Sequence, residues 1–509
     1  MKRIFFVAYL LTVCYLAYNQ SINPEPDEVY AADEVALIEL TMSESDKEAL
    51  WFPENTYEDI YYLASMHFAN SYLDETLDSV GIRIRGNTSR ENFKKSLKID
   101  FREFGGDKFH GYKKFNLKAG VNDPSMLREY ISMQMYQAAN IPVARAQHAR
   151  VYINGEYMGL YLNVEQIDDE FLDKRFDSEL GNLYKCFWGA TFENNGEVNN
   201  NNLYELKTNE ETNDRSKLIN FVTVLNSYSG EDLKTRIEAI FDVETYLRQM
   251  AVETLIGHWD GYSFNSNNFY IHENPTTNKI DFIPYDLDNT FGIDWVGGDW
   301  GTRDVKQWGS DWINLPLNTK LLGIDSYFES YCRNMVTLCN TYFTHEYLDP
   351  ILDENHTLIA PFVEEDLYYT YDRSYTYSDF QKTLDEARGD QVKYGVKEYI
   401  GVRNASALVQ LEGYEPYDTT NNGGGTTTSI SPLAESVLIF PNPVKEGYFF
   451  IKTSRPDASP VVYDQMGRQV KIEFYDLGNG EYRLSFNSLP QAGWYVLKID
   501  NLAQKFIVR

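Results

Sequence analysis

His258-Trp-Asp-Gly-Tyr-Ser-Phe-Asn-Ser-Asn-Asn-Phe-Tyr-Ile271, a polar turn, and then Ile283-Pro-Tyr-Asp-Leu-Asp-Asn-Thr-Phe-Gly292 make up the stretch that decides how this chain is read. One acid, Asp260, and three amides, Asn265, Asn267 and Asn268, precede a short strand. An Asp-x-Asp pair, Asp286 and Asp288, follows the next strand. A transferring phosphoryl group needs cations across its oxygens, and hard cations need oxygen ligands, which carboxylates and amides supply without thiol or imidazole. Asp260 is then the candidate base or orienter for an incoming hydroxyl, Asn265 or Asn268 would assist a divalent metal, and Asp286 with Asp288 would hold it. An Asp-x-Asp on a surface is more commonly a solvated loop or a structural calcium site. This pair directly follows the strand-like Lys279 to Pro284 and lies between Tyr285 and Phe291 rather than in a charge run.

Working outward, the order of elements is that of a kinase. Asp260 and Asn265 have the Asp-x4-Asn spacing of a protein-kinase catalytic loop, and Asp288-x2-Phe-Gly loosely echoes its Asp-Phe-Gly. Val80 to Gly86 alternates apolar and polar residues and ends in the turn cluster Gly86-Asn-Thr-Ser89. Ser96 to Phe101 alternates again and carries Lys98, so the two strands predict a phosphate-covering hairpin or, more plainly, an ordinary hairpin with a basic wet face. Asp123-Pro124 predicts a helix start, with the helix running to about Ala139 and a Met-rich core face. Asn154-Gly155 between Ala149–Ile153 and Tyr157–Val164 is the strongest short hairpin signal. Helical segments follow over Asp169 to Phe176, Asp214 to Asn226, Gly230 to Ile240 and Val243 to His258.

Arg85-Gly-Asn-Thr-Ser, Lys94-Lys-Ser-Leu-Lys98, Asn116-Leu-Lys118 with Asp123 to Arg128, Tyr152-Ile-Asn-Gly-Glu-Tyr-Met-Gly-Leu-Tyr161, Glu165-Gln-Ile-Asp168 and Ile283 to Gly292 together resemble the spore-coat protein H (CotH) kinase family over most of residues 34–412. The resemblance implies an α+β, atypical and highly diverged protein-kinase-like fold of two lobes. It also implies use of ATP and a divalent metal (magnesium, manganese or calcium) to phosphorylate serines of secreted or surface proteins. Carried over by position, Asp260 is the catalytic acid and Asp286 a metal ligand, with Asp288 beside it. Lys98 or Lys95 reaches the phosphates, a choice the family pattern leaves open, and Arg85 and Glu165 join them as nucleotide-binding candidates. Members of the family also serve as surface proteins that bind host cells, so a non-catalytic adhesion or scaffold protein is the alternative. A different Asp-x-Asp enzyme such as a glycosyltransferase would want a nucleotide-sugar Rossmann pattern, which the N-terminal part lacks.

The ends of the chain point to export. Met1-Lys-Arg followed by Ile4 to Ala17 reads as a signal peptide over residues 1–20, with an apolar run too short to span a bilayer. A kinase-like domain is expected over 33–412, with an N-lobe to about 166 and a C-lobe from about 167. A flexible Gly/Thr/Asn-rich linker follows over 413–433. Short alternating segments over 434–509 predict a small all-β, Ig-like sandwich. Its Phe440-Pro-Asn-Pro443, Val462-Tyr-Asp-Gln-Met-Gly-Arg468 and Leu489-Pro-Gln-Ala-Gly-Trp-Tyr-Val496 resemble the C-terminal sorting domain of type IX secretion cargo, which implies an outer-surface or secreted address and that machinery as a partner. A net charge of -30 argues against non-specific nucleic-acid binding and favours divalent cations. Cys186, Cys332 and Cys339 make neither a disulfide framework nor a zinc site.

Overall fold

In the computed structural model, the described residues are 21–417 apart from 32, 177, 179, 310 and 311. Farther along, they are 438–508 apart from 441–443, 445–446, 453–459, 466–467, 479–480, 488–489, 492 and 500–501. The expected signal peptide and most of the expected linker therefore lie outside the described residues. Residues 21–417 form one compact unit.

Alternating apolar residues build a barrel first. Strands β1 (Ala36–Met42), β2 (Tyr62–Ala69), β3 (Asp74–Ile84), β4 (Leu97–Asp100), β5 (Lys114–Lys118), β6 (Ala146–Ile153) and β7 (Glu156–Glu165) close in the order β1-β2-β3-β4-β5-β7-β6. The seam is a parallel pairing of β1 with β6, the rest of the ladders being antiparallel. Closure leaves no edge strand. Inward side chains such as Ile38, Met66, Phe68, Ile82, Ile99, Phe115 and Val151 fill the interior. Asn154 (φ 52) and Gly155 (φ 79) both adopt the left-handed backbone that a tight β6–β7 hairpin requires. In the β5–β7 ladder, Lys118 lies opposite Leu162 at one end and Phe115 opposite Glu165 at the other.

One correction to the expected N-lobe has a local cause. The helix predicted from Asp123 begins only at Arg128, as α2 (Arg128–Ala138), after α1 (Glu44–Trp51) earlier in the chain. The Asp123 carboxylate accepts from the Ser125 N–H (2.9 Å), the Arg128 N–H (2.7 Å) and the Arg128 guanidinium (2.6 Å), holding residues 123–127 in a turn with Met126 at φ 57. Helix α2 buries its Met-rich face, as expected. Its apolar face enters the larger core outside the barrel, with Leu160, Leu162 and Val164 on the outer side of β7. Residues before 33 also belong to the unit: Val29 and Tyr30 are buried in the barrel core, and Asn23 bonds the Ile141 carbonyl (2.7 Å) and the Val143 N–H (3.0 Å).

The rest of the unit is mainly helical. It runs through α3 (Asp169–Phe176), β8 (Leu183–Cys186), β9 (Tyr204–Leu206), α4 (Ser216–Ser227), α5 (Gly230–Ile237), α6 (Val243–Ile256), α7 (Tyr262–Asn265), β10 (Phe269–Glu273) and β11 (Ile280–Pro284) to the helices α8 (Pro316–Leu322), α9 (Asp325–Thr341), α10 (His345–Glu364), α11 (Tyr377–Lys382) and α12 (Val396–Gln410). The four short strands form one antiparallel sheet, β11-β10-β8-β9. Helix α6 is buried on nearly every side, its polar Arg248, Gln249, Glu253 and Thr254 included. Residues 413–417, expected as the start of the linker, pack back on α9, where the Tyr417 N–H donates to Thr337 Oγ1 (2.9 Å). Among the described residues Cys186, Cys332 and Cys339 are buried and unpaired, and no helix is long and apolar enough to cross a membrane.

The C-terminal unit is all-β. Strands β12 (Leu438–Phe440), β13 (Tyr448–Lys452), β16 (Ile472–Gly478) and β17 (Glu481–Phe486) make one antiparallel sheet. Strands β14 (Pro460–Asp464), β15 (Gln469–Val470), β18 (Gly493–Ile499) and β19 (Leu502–Val508) make the other. Phe449 and Leu484 from the first share a core with Val462, Leu497 and Phe506 from the second, the Phe449 and Phe506 rings 4.7 Å apart. This is the sandwich expected from the alternation, with β15 and β16 added.

Candidate active site

Helix α6 delivers the chain to the site and stops abruptly. Gly257 caps it at φ 69, where a Cβ would stand 2.3 Å from the Tyr399 hydroxyl, so only glycine fits. The loop then carries His258 and Asp260 into α7. Four non-glycine residues around this point hold left-handed backbone: Ser266 (φ 48), Asn268 (φ 55), Asp286 (φ 56) and Phe291 (φ 47). Such conformations cost about 1–3 kcal/mol each and gather where geometry matters more than ease of folding.

Asp260 is surrounded by amides. Its Oδ1 accepts from Asn265 (2.6 Å) and Asn267 (3.3 Å), and its Oδ2 from Asn268 (3.0 Å) and Asn289 (3.4 Å). Burial raises the Asp260 pKa, and the amides of Asn265, Asn267 and Asn268 pull partly against it. Asn265, expected as a metal ligand, turns its oxygen to the Trp188 indole N–H (3.2 Å) and its nitrogen to Asp260. Asn289 was not singled out in the sequence, yet its Oδ1 is buried without a hydrogen-bond partner. Beneath the loop, Glu253 accepts from the Ser263 N–H (2.9 Å) and Gln249 (2.8 Å), and burial pushes its carboxyl up to about 7. His258 is buried beside it, and desolvation lowers its pKa to about 4.

The barrel meets this loop through Lys118, the last residue of β5. Its ammonium bonds Glu129 on α2 (2.6 Å) and Oδ1 of Asp286. Glu129 also accepts from the Leu287 N–H (3.3 Å), which ties α2 to the Asp286–Asp288 turn. Burial alone would favour a neutral Asp286, but Lys118 outweighs it and holds the carboxyl down to about 2. Asp288 is the opposite case. Among the described residues its carboxylate receives no hydrogen bond or ion pair. Burial pushes its pKa well above the ordinary range, and Asp286, Glu129 and Asp260 add to the rise. Lys118 and Glu129 were not among the expected site residues. The signal was a polar strand end, Asn116-Leu-Lys118, followed by a helix with an acid in its first turn.

The expected phosphate-binding residues separate into different places. Arg85, at the end of β3, donates to the Tyr285 hydroxyl (2.7 Å) next to Asp286. The Lys98 ammonium has no hydrogen-bond or ion-pair partner among the described residues. Burial lowers its pKa well below the usual lysine range, and Arg85, Lys114, Arg83 and Lys185 contribute to the fall. Lys95 instead donates to the Arg90 carbonyl (2.5 Å) within the β3–β4 connection. Glu165 is not brought to the acids at all. It lies between Arg145 (2.9 Å) and Arg175 (2.6 Å), fully buried, and the two guanidiniums hold it at about 2 against the burial that would raise it.

Among the described residues no three histidine, cysteine or acidic side chains converge into a closed metal cage. The donor set suits a different arrangement. The carboxylates of Asp286 and Asp288 and the amide oxygens of Asn268 and Asn289, one of them buried and unpartnered, fit a hard cation that keeps water and phosphate ligands of its own.

Residues 82–401 match the family model described as CotH kinase protein. The chain belongs to the CotH kinase family. Residues 438–509 match the secretion system C-terminal sorting domain, which marks the protein for export to the cell surface or secretion and implies engagement of type IX machinery. The inner spore coat protein H of Bacillus subtilis is 26% identical over 299 residues, covering 57% of this chain and 79% of that protein. Two proteins of Rhizopus delemar are more distant: invasin CotH2, 22% identical over 71% of this chain and 66% of its own, and invasin CotH3, 23% over 65% and 60%. This CotH-family chain thus matches somewhat under two thirds of each invasin. Among solved structures it is similar to the Shewanella oneidensis HipA–HipB operator complex (10% identity, 74% of this chain and 72% of that one, TM-score 0.22). The Helicobacter pylori kinase CtkA is similar at 11% identity, 65% and 94% coverage and a TM-score of 0.21. At those TM-scores the superpositions carry no argument about this fold.

Proposed function

We propose that this CotH-family protein is an exported, metal-dependent phosphotransferase that moves the γ-phosphate of ATP to serine hydroxyls of secreted or surface proteins. The observation that carries the reading is the excess of acid around Lys118. One ammonium faces Glu129, Asp286 and Asp288, a charge pattern that calls for a further cation, and Asp260 stands beside it in a cradle of amides. A divalent ion bound by Asp286 and Asp288, with Asn268 or Asn289, would neutralise charge on the phosphate oxygens. The chain's own residues do the rest. Lys118 and Arg85 supply fixed positive charge on the barrel side, and the unpartnered Lys98 gains its charge when a phosphate lies beside it. Asp260, its oxygens oriented by four amides, accepts a proton from the attacking hydroxyl. Glu129 holds Lys118 and the Asp286 turn together.

Transfer of labelled γ-phosphate in the presence of magnesium or manganese, to the protein itself or to co-exported proteins, tests this. The parent is expected to transfer and Asp260→Ala to lose transfer by about a thousandfold or more while melting like the parent. Equal transfer by both would remove Asp260 from the mechanism. A second reading, a non-catalytic surface or adhesion protein on the same fold, draws on the invasins among the relatives. It predicts no transfer by either form.

A further inference from the structure

Trp188 is 67% exposed, yet its one polar atom is committed to the site: the indole N–H donates to Asn265 Oδ1 at 3.2 Å, and Asn265 Nδ2 donates to Asp260 Oδ1 at 2.6 Å. The backbone on either side is fixed independently of the ring. The Phe187 N–H bonds the Leu203 carbonyl (2.9 Å), and the Gly189 N–H bonds the Ser266 carbonyl (3.1 Å) and hydroxyl (3.2 Å). Burial therefore does not explain where the indole lies. The hydrogen bond does.

From this geometry we infer that Trp188 is a positioning residue for phosphoryl transfer, anchoring the outer end of the Asn265 amide so that its NH2 group stays on Asp260. The inference rests on Asp260 acting as proposed above. An indole nitrogen only donates, so the amide atom facing it must be oxygen and the atom facing Asp260 must be nitrogen. Asp260 alone would select the same orientation but would leave the amide free to swing, because the last torsion of an asparagine is broad. Two anchors at opposite ends remove that freedom. Of the four amides on Asp260, Asn265 makes the shortest bond, and it is the one with a second tether of this kind through a side-chain N–H. An Asp260 carboxylate held less firmly presents its oxygens less often to the incoming hydroxyl, which lowers turnover without weakening nucleotide binding.

The test is a double-mutant cycle in the full chain with Trp188→Phe and Asn265→Ala. Trp188→Phe is expected to lower kcat about fivefold, the scale of one neutral hydrogen bond, with KM for ATP within about twofold of the parent. In the Asn265→Ala background Trp188→Phe is expected to add nothing. Losses that multiply, or a rise in KM with kcat intact, would overturn the inference. A second readout needs no activity: the indole ¹H–¹⁵N signal that disappears in Trp188→Phe should move toward a solvent-exposed shift in Asn265→Ala and exchange faster with water. An unmoved signal would overturn it. If the parent transfers no phosphate the proposed function fails, and the indole signal still decides the contact.

Discussion

Strands β5 and β7 lie side by side in the barrel and end in buried ion clusters of different balance. Glu165 closes β7 between Arg145 and Arg175, and Arg145 also pairs with Asp27 (3.0 Å), so two carboxylates meet two guanidiniums. Lys118 closes β5 among Glu129, Asp286 and Asp288, one ammonium under three acids. Both are buried and both are conspicuous in the sequence. Charge balance separates them: in the first cluster two carboxylates meet two guanidiniums, whereas the second holds more acids than the ammonium at its centre can pair.

Breaking each cluster tests the distinction. Glu165→Ala leaves two buried guanidiniums facing each other and is expected to cost about 3–5 kcal/mol of stability, read as a lower denaturation midpoint. Lys118→Met is expected to lower phosphoryl transfer about 10²- to 10³-fold. Its melting temperature should also respond to magnesium without nucleotide more strongly than that of the parent, since Glu129, Asp286 and Asp288 would then lack the ammonium among them. If Glu165→Ala and Lys118→Met produced the same balance of instability and lost activity, the two clusters would not differ in kind.

Glu253 sharpens the comparison because it is a buried carboxyl bonded only to neutral groups. Its folded pKa, about 7, lies above the ordinary value of 4.5, so protonation favours the folded state. The stability it contributes is fully present below about pH 4.5 and is lost as pH rises through about 7. Glu253→Gln should therefore melt with the parent at pH 4 and gain on it toward pH 8, by up to ~3 kcal/mol. A gap that stayed constant with pH would show that Glu253 is not ionising there. The smallest effect is expected from Asp288→Asn, because burial and the neighbouring acids already favour the neutral Asp288 carboxyl. The protein without ligand should melt within about 1 kcal/mol of the parent while losing part of its metal response.

Much of this was legible in the chain. The alternation over 80–101, the Asn154-Gly155 turn and the run over 243–258 each gave the element observed, because one local interaction dominates in each. The helix start at Asp123 was misplaced because the Asp123 carboxylate is drawn into a turn by Arg128, five residues on, rather than capping the next residues alone. Barrel closure was not legible, since it depends on β1 finding β6 across more than a hundred residues. In the site, Asp260, Asp286 and Asp288 stood out by spacing, and the structure brings them together. Lys118 could not be told from Lys98, which also sits on a short basic strand, or from Lys95 in the connection before it, and only tertiary packing decides which ammonium meets an acid. Glu165 stood out for the same reason that misled: a buried acid at a strand end can serve packing as readily as chemistry.

The claim that the acid excess beside Lys118 awaits a metal–nucleotide ligand is tested most directly by thermal unfolding of the protein with ATP, with and without magnesium, manganese or calcium, beside Asp286→Ala. A rise in midpoint that needs both ATP and a divalent ion, and that disappears in Asp286→Ala, is the predicted result. An unchanged midpoint with every ion, or an equal rise in Asp286→Ala, would contradict it.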